Sequence, residues 1–321
     1  MNSRFSRLTV ARCLAATGLM FLLAACGVPD DSSVRAELRD ASSKSGLALI
    51  MARGSRIMVI PFDAPEAYFS IEFFEYRSGV GKAGSIISRA RIDPLNGRND
   101  LVISTVGGKA LVEAQGSGNE FAAVALSEAA GRFTYLSGPP RVPKLGLYWT
   151  SFDFSHGGFI DASDGDNPQG DWSPDGRFVT YQKSGSVYIF DVTSGSSTRL
   201  VEGRDPTWSQ SGDRISFRAP DGRASLVTVA GKSVAWPIRT YRPLSPIRWS
   251  PDGKYVLFPV DRPLHVPLIG TYYDLLVCRV SDGKAVSVRA FGALYPDFRG
   301  FYWIVDYRHF CADCGRGEPF N

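Results

Sequence analysis

The sequence predicts an all-β domain of small repeated sheets, and three observations support this prediction. A short motif that joins a tryptophan to a tight turn occurs at Trp172, Trp208 and Trp249, each time before a short apolar stretch. The copies recur about every 40 residues, the length of one four-stranded blade of a β-propeller. The 33 glycines and 20 prolines supply abundant turns and disfavour long helices. We therefore expect a β-propeller of six four-stranded blades, or alternatively of seven.

Each residue of the turn has a chemical reason to be there. Pro174 fixes φ at the first corner, Asp175 bonds to the nearby backbone, and Gly176 adopts the left-handed conformation before the next strand. We interpret the tryptophans as packing between blades, because equivalent positions in a repeat share one structural role. The alternative is an aromatic platform for a ligand. The residues of this blade-packing motif are Trp172, Pro174, Asp175, Gly176, Trp208, Trp249, Pro251, Asp252 and Gly253.

This pattern is similar to the WD40-like Pro-Asp repeats of the TolB-like β-propellers. The resemblance is specific over residues 171–289 and extends more weakly from residue 92 to residue 305. It implies six blades and a protein-binding role without catalysis.

Three weaker copies of the turn extend the repeat to the rest of the chain. They occur at residues 93–97, 126–131 and 294–297, each before a predicted strand. The last copy leaves no room for its outer strands, so the strands predicted at 47–52 or 56–60 should complete the final blade. Closing the ring with strands from both termini removes exposed sheet edges.

The N-terminus predicts a signal peptide. Arg4, Arg7 and Arg12 precede an apolar run over residues 14–25, which is too short for a transmembrane helix. The run ends at Cys26 in a sequence that resembles a bacterial lipobox. This resemblance implies that Cys26 carries acyl chains, several of which hold a soluble domain on a bilayer. An ordinary cleavable signal with an incidental cysteine is the alternative.

These features divide the chain into four parts. They are a signal peptide (1–25), an acylated cysteine with a flexible tether (26–45), the propeller (46–310) and a C-terminal tail (311–321). Gly27 follows Cys26 as in lipoproteins sorted to the outer membrane, which indicates a location on that membrane facing the periplasm. The formal net charge is +4 and includes the N-terminal arginines. A nucleic-acid partner is therefore not expected.

Three cysteines remain outside the predicted signal peptide and lipobox. In an oxidising envelope compartment, Cys278, Cys311 and Cys314 should form a disulfide. It joins either Cys311 to Cys314 locally or Cys278 to one of them, which would pin the tail to the preceding blade. The alternatives are a redox pair at Cys311 and Cys314, or half of a zinc site together with His309.

A glycine-rich loop carries the acidic residues Asp161, Asp164, Asp166 and Asp171. Their density makes them weak candidate ligands of a Ca²⁺ ion. Their spacing does not match the twelve-residue calcium-binding loop, and the alternative is an acidic loop that is simply solvated. The sequence contains no nucleophile elbow, P-loop, dinucleotide fingerprint or zinc-protease helix motif. We therefore expect no cofactor and assign no catalytic residue.

Three functions remain open at this stage. The first is a lipid-anchored, non-catalytic scaffold that binds a protein of the cell envelope. The second is a propeller enzyme of the lactonase, lyase or glycosidase type with its site at the channel mouth, and the third is a sensor for peptides or glycans. The loops to search for partner contacts are residues 263–267, with His265, and the tip Gly157-Gly158-Phe159.

Overall fold

The computed structural model describes residues 29–53, 56–63, 69–72, 77–92, 98–117, 122–138, 145–162, 170–266, 270–288 and 300–309. Within these residues the chain forms one α-helix and six antiparallel sheets of four strands each. The inner strands of neighbouring sheets contact one another in a closed order, so the sheets are arranged radially. The predicted β-propeller of six blades is confirmed.

The chain enters the ring through a helix and three strands that belong to its last blade. They are α1 (Ser32–Ser45), β1 (Ala48–Arg53), β2 (Arg56–Pro61) and β3 (Phe69–Glu72). Blade 1 consists of β4 (Arg77–Val80), β5 (Ile86–Ile92), β6 (Arg98–Thr105) and β7 (Ala110–Ser117). Blade 2 consists of β8 (Ala122–Ser127), β9 (Arg132–Ser137), β10 (Gly146–Ser151) and β11 (Gly157–Ala162).

The second half of the chain forms the remaining blades. Blade 3 consists of β12 (Asp171–Trp172), β13 (Phe178–Lys183), β14 (Ser186–Asp191) and β15 (Ser196–Glu202). Blade 4 consists of β16 (Arg204–Trp208), β17 (Arg214–Arg218), β18 (Ala224–Thr228) and β19 (Ser233–Val234). Blade 5 consists of β20 (Arg248–Trp249), β21 (Tyr255–Val266), β22 (Gly270–Arg279) and β23 (Ala285–Ser287). Blade 6 takes its inner strand from β24 (Gly300–Ile304), and short 3-10 helices lie at Pro237–Thr240 and Tyr307–His309.

Blade 6 closes the ring with strands from both ends of the chain, as the sequence predicts. Its order is β24-β1-β2-β3, and Ala48 of β1 lies opposite Ile304 of β24. The N-terminus contributes three strands rather than one, because the hairpin β1–β2 continues into β3. The pairing with β1 therefore covers one edge of β24, the inner strand of blade 6.

The repeated turn has the local geometry that its residues predict. Asp175 Oδ1 accepts hydrogen bonds from Ser173 Oγ at 2.5 Å and from the backbone N–H of Arg177 at 3.0 Å. Gly176 has φ +69°, and a Cβ there would lie 2.3 Å from the Cβ of Ala130 in blade 2. Asp252 repeats the hydrogen bonds of Asp175 in blade 5.

Each tryptophan of the motif contacts the blade that precedes its own. Trp172 is fully buried, and its indole N–H donates to the carbonyl of Ala125 in blade 2 at 3.2 Å. Trp208 stacks on Phe178 of blade 3, with ring centroids 6.1 Å apart. Trp249 donates to Ser216 Oγ of blade 4 at 2.9 Å. These rings fill the wedges between radial sheets.

Residues 32–45 differ from the predicted flexible tether, because they form α1. Asp31 caps the helix through the N–H groups of Ser33 and Val34, and these hydrogen bonds lower the pKa of Asp31 to about 2. Val34, Leu38 and Ser42 recur every four residues and are buried against the blades. The sequence also allows a short amphipathic helix over residues 34–39, and the structure extends this helix to Ser32–Ser45.

Two of the weaker turn copies were assigned to the wrong place in their blades. Residues 93–97 lie outside the described residues, between the second strand β5 and the third strand β6 of blade 1, whereas the turn equivalent to the tryptophan motif follows β4 at residues 81–84. Likewise β24 is the inner strand of blade 6, whereas the sequence predicts a second strand there. The predicted irregular connection at 263–267 is mostly the outer end of a long hairpin, because β21 reaches Val266.

Candidate functional site

The inner strands surround a narrow central channel. A cavity of about 40 Å³ lies between the inner strands of blades 1, 3, 4, 5 and 6. Because a buried water needs about 10–15 Å³, this cavity has room for a few water molecules. The lining residues include Lys82, Asp171, Thr207, Arg248, Tyr302 and Trp303.

Lys82 crosses the channel and joins three blades. It lies in the turn after β4 of blade 1, and its Nζ donates to Asp171 Oδ2 of blade 3 at 2.8 Å. The same amine donates to the backbone carbonyl of Trp208 in blade 4 at 2.9 Å. Asp171 Oδ2 also accepts the backbone N–H of Trp208 at 2.7 Å. This network links blades 1, 3 and 4.

Burial sets the electrostatics of the channel. Burial lowers the pKa of Lys82, and the carboxylate of Asp171 opposes this effect. Burial also raises the pKa of Asp205, which is ion-paired with Arg218 Nη2 at 2.7 Å. A lysine with a lowered pKa can act in catalysis, but both hydrogen bonds of Lys82 engage its own protein and the adjoining space is small.

A second candidate site is the aromatic surface on blade 2. Here Tyr135 stacks on Tyr148 with centroids 5.7 Å apart, and Tyr148 meets the edge of Phe159 at 5.3 Å. At the inner end of this row, Phe133 contacts Phe154 edge-to-face at 5.9 Å. Phe154 and Phe159 are 49% and 54% exposed, although phenylalanine is normally buried. We call Tyr148, Phe154 and Phe159 the blade 2 aromatic surface.

The turn that presents Phe154 is fixed by a hydrogen-bonded network. Phe154 has φ 58°, a left-handed conformation that a bulky residue rarely adopts. Asp153 Oδ1 accepts from Ser151 Oγ at 2.6 Å and from Ser155 Oγ at 2.7 Å, and these bonds lower the pKa of Asp153. Ser155 Oγ also lies 2.8 Å from His156 Nδ1. Such strain at an exposed aromatic residue is typical of a binding position.

The two described members of the acidic loop have separate partners. Asp161 accepts from Lys183 Nζ at 2.5 Å and from the Tyr181 hydroxyl at 2.9 Å, whereas Asp171 pairs with Lys82 in the channel. Asp164 and Asp166 lie outside the described residues. Within the part of the chain that the structure describes, no group of three metal-ligating side chains comes together.

The cysteine predictions fall mostly on residues that the structure does not describe. Cys278 is a free thiol, fully buried in the core between blades 4 and 5, and burial raises its pKa. Cys26, Cys311 and Cys314 lie outside the described residues, so the lipid attachment and the disulfide stay predictions. The side chain of His309 and that of His265 lie outside the described side chains as well.

Two residues of these sites were missed from the sequence. The sequence places the turn of blade 1 at residues 93–97, so Lys82 was missed. The spacing could have revealed it, because residue 80 precedes the weaker copy at residue 126 by the same number of residues as that copy precedes Trp172. Phe154 was missed because its exposure depends on tertiary packing. Phe159 belongs to the predicted tip at residues 157–159, although these residues form the start of strand β11 rather than a loop tip.

The six-bladed ring is similar to solved structures of TolB. TolB from Acinetobacter baumannii superposes with a TM-score of 0.59 and 14% identity, covering 94% of this chain and 74% of that one. A putative TolB from Agrobacterium tumefaciens gives a TM-score of 0.51 and 17% identity, covering 76% of this chain and 87% of that one. The fold is that of the TolB propeller. At these identities the likeness concerns the fold alone.

The sequence comparisons are weaker. No family model matches the chain. A probable dipeptidyl-aminopeptidase B from Grosmannia clavigera is 25% identical over 157 residues, which are 47% of this chain and 15% of that protein. The match thus spans a small part of the relative. No helix of the described residues is long and apolar enough to cross a membrane.

Proposed function

We propose that the protein is a non-catalytic, protein-binding scaffold of the bacterial cell envelope, held to the outer membrane by lipid on Cys26 and facing the periplasm. The observation that carries the binding role is the blade 2 aromatic surface. Two half-exposed phenylalanines lie on a rigid blade, one of them on a strained backbone. Aromatic side chains of this kind supply much of the binding energy at protein interfaces.

The channel favours a scaffold over an enzyme with a channel site. Lys82 reaches from blade 1 to blades 3 and 4, and the cavity of about 40 Å³ beside it accommodates a few waters. The TolB-type fold supports an envelope location, and the lipobox-like sequence at Cys26 supports the anchor. Several acyl chains on one cysteine would hold the domain on a membrane against washing.

Site-specific photo-crosslinking in living cells tests the binding role. A benzophenone amino acid at position 154 or 159 should yield one discrete crosslinked adduct with an envelope protein. Position 229 is the matched control, because Val229 is also apolar and 37% exposed but lies on blade 4. Absence of an adduct from both phenylalanine positions, or the same adduct from position 229, would refute the proposed surface.

Fractionation tests the anchor separately. Wild-type protein should remain with the membrane after a high-salt wash, and the Cys26→Ser variant should appear in the soluble periplasmic fraction. A Cys26→Ser variant that stays on the membrane contradicts lipid anchoring.

A further inference from the structure

Arg248 reaches from the inner strand of blade 5 towards the next blade of the ring. The residue before the tryptophan does the same in blade 3, where Asp171 accepts the backbone N–H of Trp208 in blade 4 at 2.7 Å. The guanidinium carbon of Arg248 lies 4.9 Å from the centre of the Tyr302 ring in blade 6. An aromatic ring attracts a cation but does not neutralise it. Within the described residues, Arg248 forms no ion pair.

The carboxylate of Asp205 lies close to Arg248 but is held by another residue. Arg218 Nη2 is 2.7 Å from Asp205 Oδ2. Burial raises the pKa of Asp205, and the charges of Arg218 and Arg248 oppose this rise. One carboxylate thus faces two guanidinium groups, and its ion pair is made with Arg218. Arg248 is left without a carboxylate of its own in the part of the chain that the structure describes.

Lys82 supplies a second donor to the cavity that Arg248 lines. Both residues belong to the wall of the same cavity of about 40 Å³. A lysine ammonium carries three N–H groups. Two of those of Lys82 are used, by Asp171 Oδ2 at 2.8 Å and by the carbonyl of Trp208 at 2.9 Å. Among the described residues the third N–H has no acceptor, so it is available to a ligand.

The charges around the cavity do not balance. The charged residues of its described wall are Lys82, Arg248 and Asp171, which together carry a net charge of +1. Burial lowers the pKa of Lys82, Asp171 opposes this effect, and the nearby charge of Arg248 adds to it. The two cations therefore repel each other across a partly dehydrated space. A ligand group with a single negative charge would neutralise the wall.

The size and the rigidity of the cavity suit a carboxylate group. The volume has room for about three waters, and a carboxylate consists of one carbon and two oxygens. A guanidinium binds both oxygens side by side through its planar fork of N–H groups. Two walls are fixed beforehand, because Trp249 donates to Ser216 Oγ at 2.9 Å and Trp303 donates to the carbonyl of Arg248 at 3.0 Å. Little ordering would therefore oppose binding.

The face of the ring next to Arg248 is basic. Arg248 lies at the beginning of β20, so its side chain is nearer to the face on which the inner strands begin. Residues 223–251 contain no Asp or Glu and five Lys or Arg. Three of these, Arg223, Arg239 and Arg242, are exposed in connections that lie on this face, because the strands of a blade are antiparallel. Such a surface raises the local concentration of anions.

We infer that Arg248 and Lys82 form a binding site for one carboxylate group, which enters the cavity from the face where the inner strands begin. Its oxygens accept hydrogen bonds from the guanidinium of Arg248 and from the third N–H of Lys82. The carboxylate belongs either to a small free acid or to a partner chain. The site is separate from the blade 2 aromatic surface, because the turn with Phe154 joins the third and fourth strands of its blade and lies on the opposite face.

Calorimetric titration with sodium acetate tests the site. The full chain is titrated at neutral pH and constant ionic strength, with acetate replacing chloride, and should bind one acetate. Arg248→Gln should weaken binding at least about tenfold, because it removes a charged donor. Arg248→Lys keeps the charge and should bind acetate more tightly than Arg248→Gln. Arg239→Gln is the matched control, since Arg239 is exposed and has no ion pair among the described residues, and its affinity should stay within about twofold of the wild type.

Two further ligands identify the source of the carboxylate. The peptide Gly-Ala-Ala with a free C-terminus is compared with its C-terminal amide, which should not bind. Tighter binding of the free peptide than of acetate assigns the site to a chain terminus, and equal binding assigns it to any accessible carboxylate. Inorganic phosphate that binds more tightly than acetate would overturn the assignment to a carboxylate. The site itself is overturned if neither acetate nor the free peptide binds to the wild type, or if folded Arg248→Gln protein binds them equally well.

Discussion

Lys82 and Asp171 form an ion pair in which only 16% and 13% of the respective side chains are exposed. Each charge would be unfavourable there alone, because little water is left to solvate it. The carbonyl and N–H of Trp208 complete the network, so one lysine couples the inner strands of blades 1, 3 and 4. The position of this pair at the axis makes it a structural link rather than a surface ion pair.

The Lys82→Met variant should lower the free energy of unfolding by about 3–5 kcal/mol, because it leaves the charge of Asp171 buried without its partner. Urea unfolding followed by tryptophan fluorescence measures the change. Adding Asp171→Asn should recover a large part of the loss, since the neutral amide oxygen still accepts the N–H of Trp208. A Lys82→Met variant as stable as the wild type would show that the pair contributes nothing to the ring.

At the scale of elements, α1 packs one face against blades 5 and 6. Val34 and Leu38 belong to the same buried cluster as Leu49 and Leu257. Glu37 accepts from the Tyr255 hydroxyl at 2.8 Å and from Arg279 Nη1 at 2.6 Å, which fixes the helix to blade 5. The helix thereby covers the junction where the chain termini meet.

The Leu38→Ala variant should lower the free energy of unfolding by about 2–5 kcal/mol, since Leu38 is fully buried. Its neighbour Arg39 is exposed, so Arg39→Ala should stay within about 0.5 kcal/mol of the wild type. Both values come from urea unfolding of the full chain. Equal stability of the two variants would mean that residues 32–45 behave as the tether that the sequence predicts.

The sequence predicts the elements whose information is local. The blades at Trp172 and Trp249 follow from the motif, because proline, aspartate and glycine each dictate a backbone conformation within a few residues. The copy at Trp208 keeps the tryptophan and the glycine but has Gln210 and Ser211 in place of proline and aspartate. Blade 1 lacks the tryptophan and proline, so its turn at residues 81–84 could not be recognised in the same way. The face of α1 and the Lys82–Asp171 pair depend on contacts between distant parts of the chain, which a single sequence does not specify.

At the scale of the whole molecule, the ring is closed by non-covalent contacts between its two ends in the described residues. β24 pairs with β1, and Trp303 of β24 donates its indole N–H to the carbonyl of Arg248 in blade 5 at 3.0 Å. Asp63, after β2, accepts from Ser42 Oγ of α1 at 2.6 Å and from the Tyr307 hydroxyl at 3.0 Å. Closure is thus shared between the N-terminal helix, the first hairpin and the last strand.

A chain that ends at residue 299 should lose cooperative folding, because it lacks the inner strand of blade 6 and exposes β1 to the channel. Truncating a buried tryptophan alone costs about 3–5 kcal/mol, a large part of the roughly 5–15 kcal/mol that stabilises a typical domain. The matched control ends at residue 309 and keeps β24, Trp303 and Tyr307. It should unfold cooperatively with a midpoint close to that of the full chain. Thermal and urea unfolding, followed by circular dichroism and tryptophan fluorescence, distinguish the chains that end at residues 299 and 309. A cooperative transition in the shorter chain would show that the ring does not need its C-terminal strand.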